Sequence, residues 1–121
     1  MERATGRTVL IVDDDSTVRE VLAAMLRESG YRSLEAADGV SALEHCRTGG
    51  PDLILLDLVM PNQEGIETMR ELKKAHPTAP VIAMSGHPGY LAPARALGAA
   101  ATLEKPISAK ALVQSVRQLI G

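Results

Sequence analysis

Asp57 ends the apolar run Leu53-Ile54-Leu55-Leu56, and the acidic triplet Asp13-Asp14-Asp15 ends a second run, Val9-Leu10-Ile11-Val12. Solubility is a poor reason for a carboxylate there; a buried strand that ends in an acid delivers a reactive group to a surface crevice. Ser85 closes a third run, Val81 to Met84, and Lys105 follows a fourth segment, Ala99 to Glu104. If these ends share one rim, three carboxylates, a hydroxyl and an ammonium converge. Two carboxylates about 4 Å apart repel by roughly 4 kcal/mol at an effective dielectric of about 20. Such crowding requires a cation or shifted pKa values. An all-oxygen site with room for water suits Mg²⁺, with Mn²⁺ as a substitute, and no twelve-residue loop of alternating acids favours calcium. With a metal bound, Asp57 is placed to act as a nucleophile towards phosphorus. Mg²⁺ and Lys105 would share the charge of the transferring group, and Ser85 would donate to another of its oxygens.

The elements that must position these groups alternate along the chain. Strands are expected over 8–13, 32–36, 52–57, 80–85 and 99–104, and helices over 16–29, 40–47, 64–75, 90–97 and from Ser108 to the end. Val18, Val21, Leu22, Met25 and Leu26 recur at the spacing of one helical face. Asp15 or Ser16 can cap that helix and Gly30 can end it. Pro93 must occupy the first turn of its helix or bend it. Five strands alternating with five helices imply an α/β fold, a parallel sheet covered on both faces, in one unit spanning 1–121 with a core of about 8–120. In such sheets ligands gather beyond the carboxyl ends of the strands, where the candidate residues fall.

Composition narrows the function further. The formal net charge is −2, which gives no electrostatic case for direct nucleic-acid binding. Tyr31 and Tyr90 are the only aromatic residues among Phe, Trp and Tyr, so stacking platforms for bases or flavins are scarce. The single Cys46 excludes an internal disulfide and fits a reducing compartment. No apolar run is long enough to insert in a membrane; the expected location is the cytoplasm.

Val12-Asp13-Asp14, then Asp57-Leu58-Val59-Met60-Pro61 with Gly65, then Met84-Ser85-Gly86, then Lys105-Pro106 together resemble the receiver domain of two-component response regulators, of the chemotaxis-regulator type. The similarity covers essentially the whole chain. It implies a flavodoxin-like, doubly wound five-stranded parallel sheet of order 2-1-3-4-5 with five helices. It also implies Asp57 as acceptor of a phosphoryl group from a histidine kinase or histidine phosphotransfer protein. Asp14, Asp57 and the Val59 backbone carbonyl would bind Mg²⁺ directly and Asp13 largely through water. Ser85 and Lys105 would contact the phosphoryl group, Met60, Pro61 and Gly65 would shape the neighbouring turn, and Lys105-Pro106 would be a cis peptide. Val59 and His87 occupy positions that tune phosphate lifetime in the family. The implied protein is a switch that catalyses its own phosphorylation and dephosphorylation, and signals to a target protein at the face of helix 4, strand 5 and helix 5.

One position departs from the family. Three residues before Lys105, where a Tyr or Phe often reports phosphorylation to the partner face, stands Thr102; Tyr90 is a candidate substitute, which nothing in the sequence demonstrates. Other readings have specific weaknesses. A haloacid-dehalogenase-like phosphatase would carry a second Asp two residues after the nucleophile, and that position is Val59. A nucleotide binder lacks any G-x-G-x-x-G or P-loop. An interaction module that takes no phosphate would not need all five of the rim residues. His45 and His76 are expected to be exposed helix residues.

Overall fold

The computed structural model describes residues 4–60 and 63–121. Five strands form one parallel sheet: β1 (Thr8–Val12), β2 (Arg32–Ala36), β3 (Leu53–Asp57), β4 (Val81–Ser85) and β5 (Ala101–Glu104), in the order β2-β1-β3-β4-β5. This is the doubly wound, flavodoxin-like order expected from the sequence. Aliphatic strands of this kind, buried on both faces, read as continuous apolar runs because helices cover each side. Leu10, Val12, Ile54, Leu56, Val81 and Ala83 pack under α2 (Gly39–Arg47), α3 (Gly65–Ala75) and α4 (Leu91–Ala96). Val9, Ile11, Leu53, Leu55, Ile82 and Met84 pack under α1 (Ser16–Glu28) and α5 (Ala109–Ile120). The alternation along each strand assigns neighbouring side chains to opposite layers.

Local signals set the helix ends. The Asp15 carboxylate accepts the Thr17 N–H at 2.9 Å, so Asp15 rather than Ser16 is the cap of α1, and Gly30 follows its end at φ +91°. Asp38 and Ser108 cap α2 and α5 in the same way. Pro93 lies in the first turn of α4, where its missing N–H leaves no helical bond unmade. A short 3₁₀ turn, Pro88–Tyr90, precedes α4, so this helix is briefer than its apolar pattern suggests. β5 also starts two residues later than expected. Gly98, at φ +110°, and Ala99 donate to Arg95 and Ala94, closing the end of α4 and withdrawing Ala99 from the strand.

Three side chains sit differently from the sequence expectation. Val21 belongs to the apolar stripe of α1 but is 48% exposed. His45 and His76 are half-buried, each with a ring nitrogen on a backbone carbonyl, Glu35 at 3.1 Å and Pro51 at 2.9 Å respectively. Cys46 is buried among the α2 contacts of the core, and burial pushes its thiol pKa up, in keeping with a small packing residue.

After Asp57 the backbone of Val59–Met60 pairs antiparallel with Gln63–Glu64, a two-residue ladder absent from the sequence expectation. The ladder leads directly into α3, whose first residue is the buried Gly65. A Cβ at Gly65 would occupy the space of the Leu58 backbone. The glycine therefore permits the segment after β3 to lie against the start of α3. Gly65→Ala should lower the free energy of unfolding by about 1–3 kcal/mol, the usual cost of overpacking. Urea denaturation measures it, and a loss below about 0.5 kcal/mol would show that the backbone yields without cost.

Candidate functional site

The carboxyl end of the sheet carries the rim. Asp13 follows β1 immediately and donates its backbone N–H to the Ala36 carbonyl at the end of β2, at 3.1 Å. Its side chain is buried, with Oδ1 accepting the Asp15 N–H at 2.9 Å and Oδ2 accepting from Lys105 Nζ at 2.8 Å. Asp57, the last residue of β3, is 3% exposed. Its Oδ1 accepts the Val59 N–H at 3.1 Å and its Oδ2 lies 3.3 Å from Lys105 Nζ. Asp14 is exposed, and one carboxylate oxygen from each of Asp13, Asp14 and Asp57 lies within 4.8 Å of the others.

Ser85 ends β4 and is fully buried as a residue; its Oγ accepts the His87 N–H at 2.9 Å, and its carbonyl accepts the Lys105 N–H at 2.9 Å. That last bond extends the β4–β5 ladder by one step and holds Lys105 beside the acids. The Lys105–Pro106 peptide is cis. His87 is exposed, its ring edge-on to Tyr90 at a centroid distance of 6.1 Å. Val59 is 42% exposed beside Asp57. Thr102 is half-buried within β5, paired in register with Ala83, two residues short of the strand end. Met60 lies in the short ladder, whereas Pro61 lies outside the described residues.

The electrostatics follow from this packing. Burial raises the pKa of Asp57 and the neighbouring Asp13 charge adds to it, against the opposing pull of the Val59 N–H and Lys105. Burial by itself would lower the pKa of Lys105. The hydrogen bond to Asp13 and the fields of Asp57 and Asp13 outweigh it, and the net direction is upward. The ammonium is therefore a fixed positive charge at neutral pH. The donor set also suits a small hard cation. Ligand bonds of about 2.1 Å place opposite oxygens of an octahedral ion about 4 Å apart, the scale on which these three acids already meet.

Arg19 is a neighbour of the site that the hydrophobic pattern does not announce. From α1 its Nη1 donates to the Asp13 carbonyl at 2.7 Å, and its Nε lies 3.2 Å from Glu35 Oε1. The only available signal was an arginine one turn after an acidic cap, which ordinarily means a solvated helix face.

Residues 9–117 match the family model of the response regulator receiver domain, and the chain belongs to that family. It is 36% identical over 123 residues to the transcriptional regulatory protein PdtaR of Mycobacterium tuberculosis, covering 99% of this chain and 60% of PdtaR. It is 39% identical over 129 residues to the sensor kinase CckA of Brucella abortus, covering 99% of this chain but 14% of that kinase. Among solved structures it superposes on the receiver domain of the Francisella response regulator 1452 with a TM-score of 0.85 and 29% identity, covering 94% of this chain and 96% of that one. The chain thus spans 60% of PdtaR and 14% of CckA, less than two thirds of either relative.

The raised pKa of Asp57 has a consequence for the metal-free protein. Between the ordinary carboxylate range and the raised value, the folded state retains a proton that the unfolded chain has released. The stability contributed by Asp57 is therefore lost as pH rises through that window. Asp57→Asn has no such titration, so its stability advantage over wild type should widen as pH rises above the ordinary carboxylate range. If the three acids hold Mg²⁺, the ion at a hundred times its Kd should then stabilise wild type by about 2.7 kcal/mol and the variant much less. Urea denaturation at fixed pH provides the comparison, and a gap independent of pH would contradict the assignment.

Proposed function

We propose that this receiver domain accepts a phosphoryl group on Asp57, from a histidine kinase or histidine phosphotransfer protein, in a Mg²⁺-dependent reaction. The observation that carries the reading is the meeting of the Asp13, Asp14 and Asp57 carboxylates from two strands with the Lys105 ammonium from a third. Asp14, Asp57 and the Val59 carbonyl would hold the ion, with Asp13 acting largely through water. The ion supplies charge neutralisation at the phosphoryl oxygens and lets the donor approach a carboxylate that would otherwise repel it.

An Asp57 carboxylate oxygen attacks phosphorus; the new O–P bond forms as the donor's P–N bond breaks, and the imidazole leaves with the electron pair. Lys105 faces the developing negative charge, and the Ser85 hydroxyl has a proton free to donate to a phosphoryl oxygen while accepting from His87. Water later cleaves the acyl phosphate; Val59, whose N–H bonds Asp57, and His87, whose N–H bonds Ser85, would govern its access. The same residues thus support both phosphorylation and dephosphorylation of the one chain, as a switch.

Beside Lys105 lies a groove of about 430 Å³ lined chiefly by Val18, Val21, Leu22, Pro106 and Ile107. Its apolar wall and its position next to the acceptor suit a helix of the donor protein, whose phosphohistidine must reach Asp57. On the output side the added charge and oxygens of the acyl phosphate bias the surrounding loops between two states. A shift from 1% to 99% active needs about 5.5 kcal/mol of differential interaction. The face of α4, β5 and α5 is the surface offered to a target protein.

Incubation with acetyl phosphate and Mg²⁺ should add one phosphate to wild type by intact mass and none to Asp57→Asn; equal labelling of both removes Asp57 as acceptor. Val21→Glu, which charges the groove without touching the rim, should slow transfer from a phosphorylated donor at least about tenfold, the effect of 1.4 kcal/mol. Its labelling by acetyl phosphate should match wild type. A donor rate unaffected by Val21→Glu would place the docking surface elsewhere.

A further inference from the structure

We infer that Arg19 and Glu35 form a positioning pair for the acidic site, through the peptide that joins its buried and exposed acids. The inference rests on the Mg²⁺ reading given under Proposed function. Arg19 Nη1 donates at 2.7 Å to the carbonyl of Asp13, which belongs to the same peptide plane as the Asp14 N–H. Fixing that carbonyl fixes the plane, and with it the direction in which Asp14 leaves the backbone.

Asp13 is then held at every polar atom: its N–H by Ala36, its carbonyl by Arg19, and its two carboxylate oxygens by the Asp15 N–H and Lys105. Asp14 is exposed and makes no such set of bonds among the described residues, so its aim depends on the peptide before it. The guanidinium is itself oriented. Its side chain is 17% exposed, and Nε pairs with Glu35 Oε1 at 3.2 Å. The Glu35 carbonyl in turn takes the His45 ring nitrogen at 3.1 Å. A planar fork held by a carboxylate on one side presents its remaining donors in a set direction, which a lysine cannot reproduce. Outer partners of metal ligands commonly alter affinity by about 10–100-fold when removed. Arg19 and Glu35 hold that place here without touching the ion or the phosphoryl group.

Mg²⁺ titration by calorimetry, with amide hydrogen exchange on the metal-free protein, tests the pair. Arg19→Ala should raise the Mg²⁺ Kd about tenfold and speed exchange at the Asp13 and Asp15 amides, leaving α5 amides unchanged. Arg19→Lys, which keeps a donor for the carbonyl but not the fork, should fall between wild type and Arg19→Ala. Glu35→Gln should weaken binding in the same direction, and carries the test with Arg19→Lys if Arg19→Ala fails to fold. A general loss of stability would move α5 exchange as well and leave Kd alone. A Kd change below about threefold in every folded variant, with wild type binding normally, overturns the positioning role. If wild type binds no Mg²⁺, the metal reading fails, and the exchange data decide the pair alone: unchanged Asp13 and Asp15 amides would overturn it.

Discussion

The Lys105 ammonium, 2.8 Å from Asp13 and 3.3 Å from Asp57, is the contact on which the rim depends. Two nearly buried carboxylates facing one another would expel each other or take up a proton. One cation between them offsets much of that repulsion, and it is itself kept charged by them. The balance is incomplete, because burial still raises the Asp57 pKa. A divalent ion held there, as proposed, would offset that residual cost.

Holding that arrangement is a problem of strand register. Asp13 and Asp57 sit at the ends of neighbouring parallel strands, and Lys105 follows β5, which is separated from β3 by β4. A slip of one residue in any pairing would reverse the layer of every side chain in that strand. The continuous aliphatic filling of both layers resists such a slip. The Lys105 N–H to Ser85 carbonyl bond adds one more rung beyond the last strand residue. The core thus does chemical work by fixing where charge appears.

The sheet and the acidic rim were legible because their signals are strong and local. Apolar runs such as Leu53-Ile54-Leu55-Leu56 have few alternatives, and acids at their ends are hard to explain otherwise. What escaped depends on contacts distant in sequence. Ala99 belongs to a helix closure with Ala94 rather than to β5, which only the backbone bonds reveal. The short ladder between Val59–Met60 and Gln63–Glu64 is too brief to leave a periodic pattern. His76 is half-buried because Pro51, 25 residues away, offers it a carbonyl, and Arg19 reaches Asp13 only because α1 folds back over the strand end. Val21 shows the opposite error: a correct helical face whose edge extends past the sheet.

If Asp57 takes a phosphoryl group as proposed, Ser85 would allow acceptor chemistry and readout to be separate. Its hydroxyl accepts the His87 N–H at 2.9 Å. A hydroxyl has one proton to donate besides its lone pairs, so Ser85 can engage a phosphoryl oxygen without giving up that bond. Contact with phosphate therefore need not release the loop after β4. The Tyr90 ring meets His87 edge-on, which joins this loop to the start of α4. Thr102, half-buried within β5 and two residues short of its end, has a side chain too small to sweep between buried and exposed positions as a large ring would. On the proposed reading, a mechanical link from the rim to the surface near α4 would run through the segment 85–90, which joins Ser85, His87 and Tyr90 by direct contacts, rather than through residue 102. That segment ends in the 3₁₀ turn, whose few hydrogen bonds make it the cheaper element to displace.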